Sequence, residues 1–512
     1  MVISLFKTTF EVKFKNDMKK VLSSLAAAVA LLAIVPAVAN AQAKKSAYSP
    51  QEYIDKVLKK DANYINAVAA IKAVDKNGKI VAEWNSNLPV LTASTLKTIT
   101  CGMAMAYLGE DYRFSTTLKH SGTVKDGTLF GDLWIVGGGD PTLGSEDGVG
   151  FPVDSIFGVW TAAMKELGIR KVQGNIVVDD SYLAREVIPS SWTWGNIGYD
   201  YGSAPSGLPF HEDVQNVRII PGKNEGDKPQ VIVLYPQIPG FKYVNDLTTG
   251  PAKSGDESEY NCSDLARVGK FSGSVPVDRD TIRSTISNKF SYISCGAAFR
   301  DFVVSQGITI GPDIIPVEDA AKADLTEITT IYSPELWKIV GRTLLVSDNF
   351  YAETLFKQLG KKMLGDGSYS GAKKAARRIL DSLGVNRTGY TQDDGSGLSR
   401  ENYVSPEFFC NFYSVMTKQP CFEKFVEAFP YPTVGTLRNV LTDKKKFNPD
   451  IAAGVHAKSG SLSCVKTYAG YVYAGPRHGL IKFAILVNNY SCPTREIQKH
   501  LEGFMYSLAS AD

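Results

Sequence analysis

The sequence predicts an α/β (α+β) protein in which helices flank an antiparallel sheet, with a β-rich segment inserted between the two halves of that sheet. Three observations predict it. A hairpin signal stands near the start of the chain, a β-meander with an amphipathic helix closes it, and many short strand-like runs lie between. The 512 residues are enough for one large core or for two to three domains.

The first part of the chain predicts a hairpin followed by a buried helix. After a short amphipathic helix at 50–60, strand-like runs at 67–74 and 80–84 flank the turn Asp75–Gly78. Its Asn-Gly pair is a strong hairpin signal. The helix Ser94–Leu108 is apolar on nearly all faces, which is typical of a helix inside the core.

The middle of the chain differs from both ends in its pattern of predicted strands and turns. Residues 112–329 carry short β-like runs separated by Gly, Pro and Asp clusters, which predicts an insertion of one or two β-rich domains. We therefore divide the mature chain into a catalytic domain formed by 46–111 and 330–512, and the insertion 112–329.

Helices return after Pro334, and the chain closes with two strands and a helix. In the last helix Ile497, Leu501, Phe504 and Leu508 follow one another at spacings of four, three and four. We expect the terminal strands to share a sheet with the first hairpin. The predicted helices and strands of this part are 335–346, 350–359, 373–383, 466–473 and 480–488.

The first 43 residues have the three-part layout of a secretory signal peptide. Met18-Lys19-Lys20 is positively charged, Leu25–Val35 is apolar, and small residues close the segment at Ala39-Asn40-Ala41 or at Ala41-Gln42-Ala43. An uncleaved membrane anchor is the alternative. Export implies an oxidising compartment in which disulfides persist.

Seven cysteines remain in the mature chain, so at least one is unpaired within it. The pairs to test first are Cys262 with Cys295, and Cys410 with Cys421. Cys101 lies in the apolar helix and is predicted to be a buried free thiol.

Composition excludes several classes of protein. The aromatic fraction of 11% excludes intrinsic disorder, and 56 Lys+Arg against 53 Asp+Glu leave no basic field for nucleic acid. Beyond residue 40 no apolar run approaches the length of a membrane helix. The five histidines never stand at ligand spacing, so we predict no metal and no cofactor.

The remaining nucleophile pattern is S-x-x-K at Ser94–Lys97, since G-x-S-x-G is absent. A spacing of three puts both side chains on one helical face, where the lysine amine can take the serine proton if burial lowers its pKa. The pattern is common by chance. A second match, Ser463–Lys466, stands in a strand-like segment, where the two side chains face opposite sides.

Two more elements strengthen the interpretation. Ser347-Asp348-Asn349 stands between two apolar helices, and its alternative interpretation is a helix cap. Lys458-Ser459-Gly460 leads into a strand, and its alternative interpretation is an ordinary turn. S-x-x-K, S-x-N and K-[ST]-G in this order are the triple pattern of penicillin-recognising serine enzymes.

From about residue 50 to 508 the sequence resembles the class C low-molecular-mass penicillin-binding proteins, which are D-alanyl-D-alanine carboxypeptidase/endopeptidases. The separation of 253 positions from Ser94 to Ser347 suits this family, which inserts domains there. The resemblance implies a penicillin-recognising, transpeptidase-like domain, peptidoglycan stem peptides as substrate and β-lactams as covalent inhibitors. The signal peptide predicts a periplasmic location. Secondary matches are Gly131–Leu133, Gly139–Leu143, Asp394–Arg400 and His456-Ala457.

The resemblance also implies roles for residues. Ser94 is the implied nucleophile and Lys97 its base, Ser347 relays a proton to the leaving group, and Asn349 holds the substrate amide or Lys97. Lys458 supplies positive potential and Ser459 binds the terminal carboxylate. Gly460 allows close approach of the backbone, and the oxyanion hole is formed by the N–H groups of Ser94 and Ser461.

Two positions depart from the family's pattern. Ser459 stands where threonine is commoner, with the hydroxyl kept. Asn196, after Trp192–Gly195, is neutral where relatives that read diaminopimelate often have an acid, so Asp200 is one candidate replacement. An inert binding module and a β-lactamase are the alternative functions, and a homo-oligomer is left open.

Overall fold

The computed structural model describes residues 45–203 and 205–512. The predicted signal peptide at 1–43 lies outside these residues. Of the helices in the described part, none combines the length and apolar character needed to cross a membrane.

The helices of the described chain are short to medium in length and cluster in two regions, before residue 110 and after residue 290, with one between. In chain order they are α1 (Pro50–Lys56), α2 (Lys97–Leu108), α3 (Val153–Glu166), α4 (Ser291–Ser305), α5 (Leu336–Leu345), α6 (Asn349–Leu364), α7 (Tyr369–Ser382), α8 (Pro406–Met416), α9 (Phe422–Glu427), α10 (Pro449–Ala452) and α11 (Thr494–Ala509).

The strands of the described chain are concentrated between residues 115 and 332, with others at its two ends. They are β1 (Val68–Val74), β2 (Ile80–Trp84), β3 (Val90–Leu91), β4 (Ser115–His120), β5 (Thr123–Lys125), β6 (Thr128–Phe130), β7 (Leu133–Val136), β8 (Lys171–Val172), β9 (Ile176–Asp179), β10 (Val214–Ile220), β11 (Gln230–Tyr235), β12 (Lys242–Gly250), β13 (Glu259–Cys262), β14 (Val268–Pro276), β15 (Ile282–Ser287), β16 (Ile314–Pro316), β17 (Thr326–Tyr332), β18 (Tyr390–Thr391), β19 (Tyr403–Val404), β20 (Val455–Leu462), β21 (Val465–Tyr473) and β22 (Leu480–Asn488).

One antiparallel sheet joins the two ends of the described chain. Its order is β2-β1-β22-β21-β20, and Asn488 of β22 lies opposite both Val68 of β1 and Val465 of β21. The predicted sharing of a sheet by the first hairpin and the terminal strands is confirmed. The sheet leaves β20 at an edge, where its backbone can meet a neighbouring chain segment.

Each face of this sheet covers a different core, because successive side chains of a strand point to opposite sides. In β22, Ala484 and Leu486 pack with α2 and the helices α5 to α8. The alternate residues Phe483 and Ile485 pack with α1 and α11 instead. This antiparallel sheet between helical layers confirms the predicted α/β (α+β) class.

The helix α2 lies inside the first core, as its apolar composition predicted. It follows a 3-10 turn at Ala93–Leu96, and its first nine residues are buried. Gly109 ends it with a φ of 88°, a left-handed conformation that glycine adopts without a steric penalty. The catalytic candidates at 94 and 97 therefore stand on a rigid, buried element.

The middle segment forms further sheets of its own. A mixed sheet of order β16-β9-β7-β4-β17 packs against α3 and α4, and smaller sheets are formed by β10, β11 and β15 and by β12 to β14. The proposed boundary at residue 329 falls inside β17, which pairs with β4. The division into a catalytic domain and an insertion stays a prediction.

The suggested cysteine pairs are wrong. All seven cysteines are free thiols, and Cys101 is buried as predicted. Cys262 and Cys295 belong to separate hydrophobic clusters, and the Cys410 thiol donates to the carbonyl oxygens of Lys72 and Lys482. Buried cysteines of this kind behave as small apolar residues.

We expect the denatured protein, without reductant, to titrate seven free thiols with a chromogenic disulfide reagent, because no disulfide links the described cysteines. In the native protein, exposed Cys464 should react first and buried Cys101 last. A denatured count of five or three would show that disulfides form.

Candidate active site

Ser94 lies in the 3-10 turn that leads into α2, and the backbone around it is tightly packed. Ala93 adopts a left-handed φ of 46°, which is costly for a residue with a Cβ. Gly397 lies so close that a Cβ there would be 2.0 Å from the carbonyl oxygen of Ala93. Neighbouring segments therefore fix the position of Ser94.

The Lys97 amine is held by oxygens from three chain segments. Its Nζ lies 3.0 Å from Ser94 Oγ, 2.6 Å from Asn349 Oδ1 and 2.8 Å from the carbonyl oxygen of Ser396. The Lys97 side chain is fully buried. The S-x-x-K spacing thus gives the contact that it predicted, one turn of helix apart.

Burial lowers the pKa of Lys97 to about 8, against the opposing effect of nearby acidic residues, of which Asp394 and Glu353 act most strongly. A lysine at that pKa is partly neutral near neutral pH. The amine can therefore accept a proton from the adjacent hydroxyl.

Ser347 and Asn349 lie at the start of α6. Asp348 caps this helix by accepting from the N–H of Tyr351, so the helix-cap interpretation also holds. Asn349 Nδ2 donates to the carbonyl oxygen of Tyr201 at 2.8 Å, which leaves its Oδ1 facing Lys97. Among the described residues the Ser347 hydroxyl has no hydrogen-bond partner, and Ser347 lines a cavity next to the one at Ser94.

The third motif lies inside edge strand β20 and not in a turn before it. Lys458 is fully buried and donates to the carbonyl oxygen of Ser459 at 2.7 Å. Burial, and then the neighbouring charges of Lys97 and Lys466, hold the pKa of Lys458 well below its usual value.

Gly460 brings β20 against the candidate nucleophile. A Cβ at this position would lie 3.0 Å from the backbone nitrogen of Ser94, 2.8 Å from the carbonyl oxygen of Thr92 and 2.2 Å from Thr467 Oγ1. Only a residue without a side chain fits there. Ser461, the next residue, reaches the same cavity as Ser94.

A cavity of about 540 Å³ opens at Ser94. Its walls come from residues 191–201, from α6, from the loop 394–400 and from the turn at the end of β20. Asn196 lines it, whereas Asp200 lines the neighbouring cavity beside Ser347. The other lining residues are Ser191, Thr193, Tyr201, Asn349, Gly397, Leu398, Arg400, Ser461, Leu462 and Ser463.

Sequence reasoning missed one support of Lys97. Glu353, fully buried in α6, accepts from the N–H groups of Gly395 and Ser396 at 2.9 and 2.7 Å, which fixes the carbonyl that Lys97 contacts. Burial raises the pKa of Glu353 to about 8. An acidic residue within an otherwise buried stretch of helix was the available signal.

The second S-x-x-K does not form such a pair. Ser463 and Cys464 lie in the turn between β20 and β21, and the Lys466 amine donates to Ser461 Oγ at 2.9 Å. Within residues 45–203 and 205–512, no group of three or more His, Cys, Asp or Glu side chains is placed to hold a metal ion.

Comparison with known proteins gives one family. The model of the D-Ala-D-Ala carboxypeptidase 3 (S13) family matches residues 51–508. A D-alanyl-D-alanine carboxypeptidase of Actinomadura sp. (strain R39) is 27% identical over 482 residues, covering 90% of this chain and 85% of its own length. D-alanyl-D-alanine carboxypeptidase DacB of Haemophilus influenzae is 25% identical, covering 82% of this chain and 85% of its own length.

A solved structure shares the fold. The crystal structure of penicillin binding protein 4 from Haemophilus influenzae superimposes with a TM-score of 0.75 at 21% identity, over 89% of this chain and 98% of that chain. The penicillin-binding fold implied by the sequence is therefore confirmed.

We expect Gly460→Ala to destabilise the protein by roughly 1–3 kcal/mol, since the added methyl group must displace Thr92, Ser94 or Thr467. The free energy of unfolding, measured with denaturant, checks this. Gly158→Ala is the control, because its Cβ meets no atom within 4 Å. Equal stability of Gly460→Ala and the parent protein would contradict the packing at β20.

Proposed function

The chain belongs to the D-Ala-D-Ala carboxypeptidase 3 (S13) family, and on this premise we propose how its residues act. The protein is a serine-type D-alanyl-D-alanine carboxypeptidase/endopeptidase. Ser94 attacks the carbonyl carbon of the peptide bond between two D-alanines of a peptidoglycan stem peptide and forms an acyl-enzyme.

The position of the Lys97 amine carries this proposal. A neutral amine has two N–H donors and one lone pair. Asn349 Oδ1 and the Ser396 carbonyl oxygen can only accept, so they take the two N–H groups. The lone pair is then directed at the Ser94 hydroxyl, 3.0 Å away, and removes its proton as Ser94 attacks.

The developing oxyanion is stabilised by the backbone N–H groups of Ser94 and Ser461. The close approach of Gly460 to the Ser94 nitrogen supports this role. It places the backbone of Ser461, the residue after Gly460, beside the backbone of Ser94. Such preorganised donors contribute much of the rate enhancement of acyl transfer.

The proton that Lys97 took from Ser94 passes through Ser347 to the nitrogen of the leaving D-alanine as the C–N bond breaks. Ser459 binds the terminal carboxylate of the substrate. The bound carboxylate raises the pKa of Lys458, so that its protonated amine supplies positive potential there. A water molecule then hydrolyses the ester and releases Ser94. A β-lactam follows the same first step, but its opened ring stays attached to Ser94 as an ester.

The inert binding module and the β-lactamase are not favoured, since the family match names a carboxypeptidase. The peptidoglycan substrate requires a location outside the cytoplasmic membrane. We therefore keep the signal peptide at 1–43 and the periplasmic location as part of this proposal.

We expect Ser94→Ala to abolish covalent labelling by a fluorescent penicillin and release of D-alanine from a pentapeptide, because the acyl group then has no oxygen to bond. The exposed Ser305→Ala should label like the parent protein. Labelling of the Ser94→Ala variant would overturn the nucleophile, and labelling without D-alanine release would identify an inert binder.

We expect the rate of acylation to rise with pH and to level off above about pH 8, because only neutral Lys97 accepts a proton and its pKa is about 8. Lys97→Ala should lower the rate roughly 10²–10⁴-fold, the usual cost of losing a general base. Exposed Lys165→Ala is the control. A pH-independent rate in the parent protein would argue against Lys97 as the base.

A further inference from the structure

One guanidinium group lies among three carboxylates beside the proposed active site. Arg342 of α5 has its Nε 3.3 Å from Asp147 Oδ2 and 3.7 Å from Asp348 Oδ2, and its Nη2 lies 3.7 Å from Glu212 Oε2. Asp147 and Glu212 belong to the segment 112–329. Asp348 is the middle residue of the S-x-N motif, so this Arg342 cluster connects the inserted segment to that motif.

The backbone at the motif is strained and needs support. Ser347 has a φ of 70°, and a non-glycine residue in this conformation costs about 1–3 kcal/mol. The next residue holds it in place, since the Asp348 N–H donates to the Thr343 carbonyl oxygen and its carboxylate accepts from the Tyr351 N–H. A displacement of Asp348 therefore also displaces its neighbours Ser347 and Asn349.

The inserted segment presents Glu212 from a second strained turn. His211, Glu212 and Asp213 all have φ between 52° and 55°. The turn is held through Asp213, whose carboxylate accepts from the Phe210 N–H at 3.0 Å and whose carbonyl oxygen accepts from the Asn288 N–H at 2.7 Å. Two strained backbones thus meet at one cavity of about 480 Å³.

Asp147 ties the inserted segment to the first turn of α6. Its side chain is fully buried and accepts from Tyr351 Oη at 2.7 Å and from the Val149 N–H at 2.8 Å. Burial acts to raise the pKa of Asp147, but these hydrogen bonds outweigh it and hold that pKa below its usual value. Asp147 is therefore an anion that pairs with Arg342.

Arg342 carries one positive charge and cannot neutralise three ionised carboxylates, of which Glu212 is the third. Burial, and then the neighbouring Asp348, raise the pKa of Glu212 to about 7. Ser145 Oγ donates to Glu212 Oε1 at 2.9 Å and fixes the carboxyl in place. Ionisation of Glu212 therefore adds repulsion directly beside Asp348.

Other groups around Glu212 do not remove this repulsion. The titratable or charged residues near it are Glu146, Asp147, Asp200, His211, Arg342 and Asp348. Burial lowers the pKa of His211, so that ring is neutral near pH 7. Tyr201 lines the same cavity, and burial raises the pKa of its phenol. Arg342 is thus the one cation of this set.

We propose that Arg342 is a positioning residue: it links Asp147 and Glu212 of the segment 112–329 to Asp348 and so holds Ser347 and Asn349 in their reactive positions. Ionisation of Glu212 weakens this hold. The charge of Asp348 also acts on Lys97, where it opposes loss of the proton. The inference rests on the proposed acyl-enzyme reaction of Ser94.

The first test compares Arg342→Gln with the double variant Arg342→Gln/Glu212→Gln, by the rate constant of acylation with a fluorescent penicillin. We expect the single variant to lose about 10-fold or more, because small displacements of reacting groups are costly. Both rates are measured at about pH 8.5, where more of Glu212 is ionised, and there the double variant should recover about 3-fold or more, since one of three unneutralised carboxylates is gone. Arg300→Gln is the matched control, because Arg300 is about as exposed as Arg342 but pairs with exposed Asp301 away from the site.

The second test uses pH and the isosteric Glu212→Gln variant, which cannot ionise. Its acylation rate relative to the parent protein should be near one at about pH 6 and should rise about 3-fold by about pH 8.5. A merely structural role would change the rate equally at both pH values. A constant ratio would overturn the proposal, as would an Arg342→Gln rate equal to that of Arg300→Gln.

The controls separate this inference from the proposed function. If the parent protein is not labelled, or Ser94→Ala is labelled, the acyl-enzyme proposal fails. If labelling depends on Ser94 but not on the Arg342 cluster, only the positioning role fails. Should Arg342→Gln not fold, as judged by its melting curve, the pH ratio of Glu212→Gln decides the question.

Discussion

The contact between the Lys97 amine and its three oxygens is the constraint on which the site depends. Asn349 and the Ser396 carbonyl lie 252 and 299 positions away in the sequence, yet both reach the same nitrogen. Their acceptor-only character decides which way the lone pair of the neutral amine points. A change in the position of α2, α6 or the loop 394–400 would redirect that lone pair away from Ser94.

Burial lowers the pKa of Lys97, but burying a charged group also costs free energy. Lys97 and Glu353 are fully buried, and an unpaired charge in such a place would cost several kcal/mol. Each is therefore surrounded by partners, and Asp394 in the adjoining loop accepts from the Gly397 and Ser399 N–H groups. Trp192 of the inserted segment donates to the same carboxylate at 3.0 Å. The inserted segment thus completes the hydrogen bonding beneath the site.

The same segment reaches the site at other points. The Tyr201 carbonyl oxygen accepts from Asn349 and so orients the amide that faces Lys97. Asn196 lines the cavity at Ser94, and Glu212 lines the cavity at Ser347. Cavity walls and supports of the S-x-N motif thus lie on one segment, 112–329, and the proposed substrate recognition is coupled to the placement of the proposed reacting groups.

The sequence by itself determined the three motifs, the buried helix at Ser94 and the sheet shared by the chain ends, because helical spacing, hairpin chemistry and apolar periodicity are local properties. It placed Lys458 before a strand, where the structure has it within β20, since element boundaries depend on pairing. Only the tertiary structure decided that Glu353 supports the Ser396 carbonyl, that Arg342 gathers three carboxylates, and that the cysteines stay unpaired. These contacts join residues far apart in the chain, and packing, which no local pattern records, brings them together.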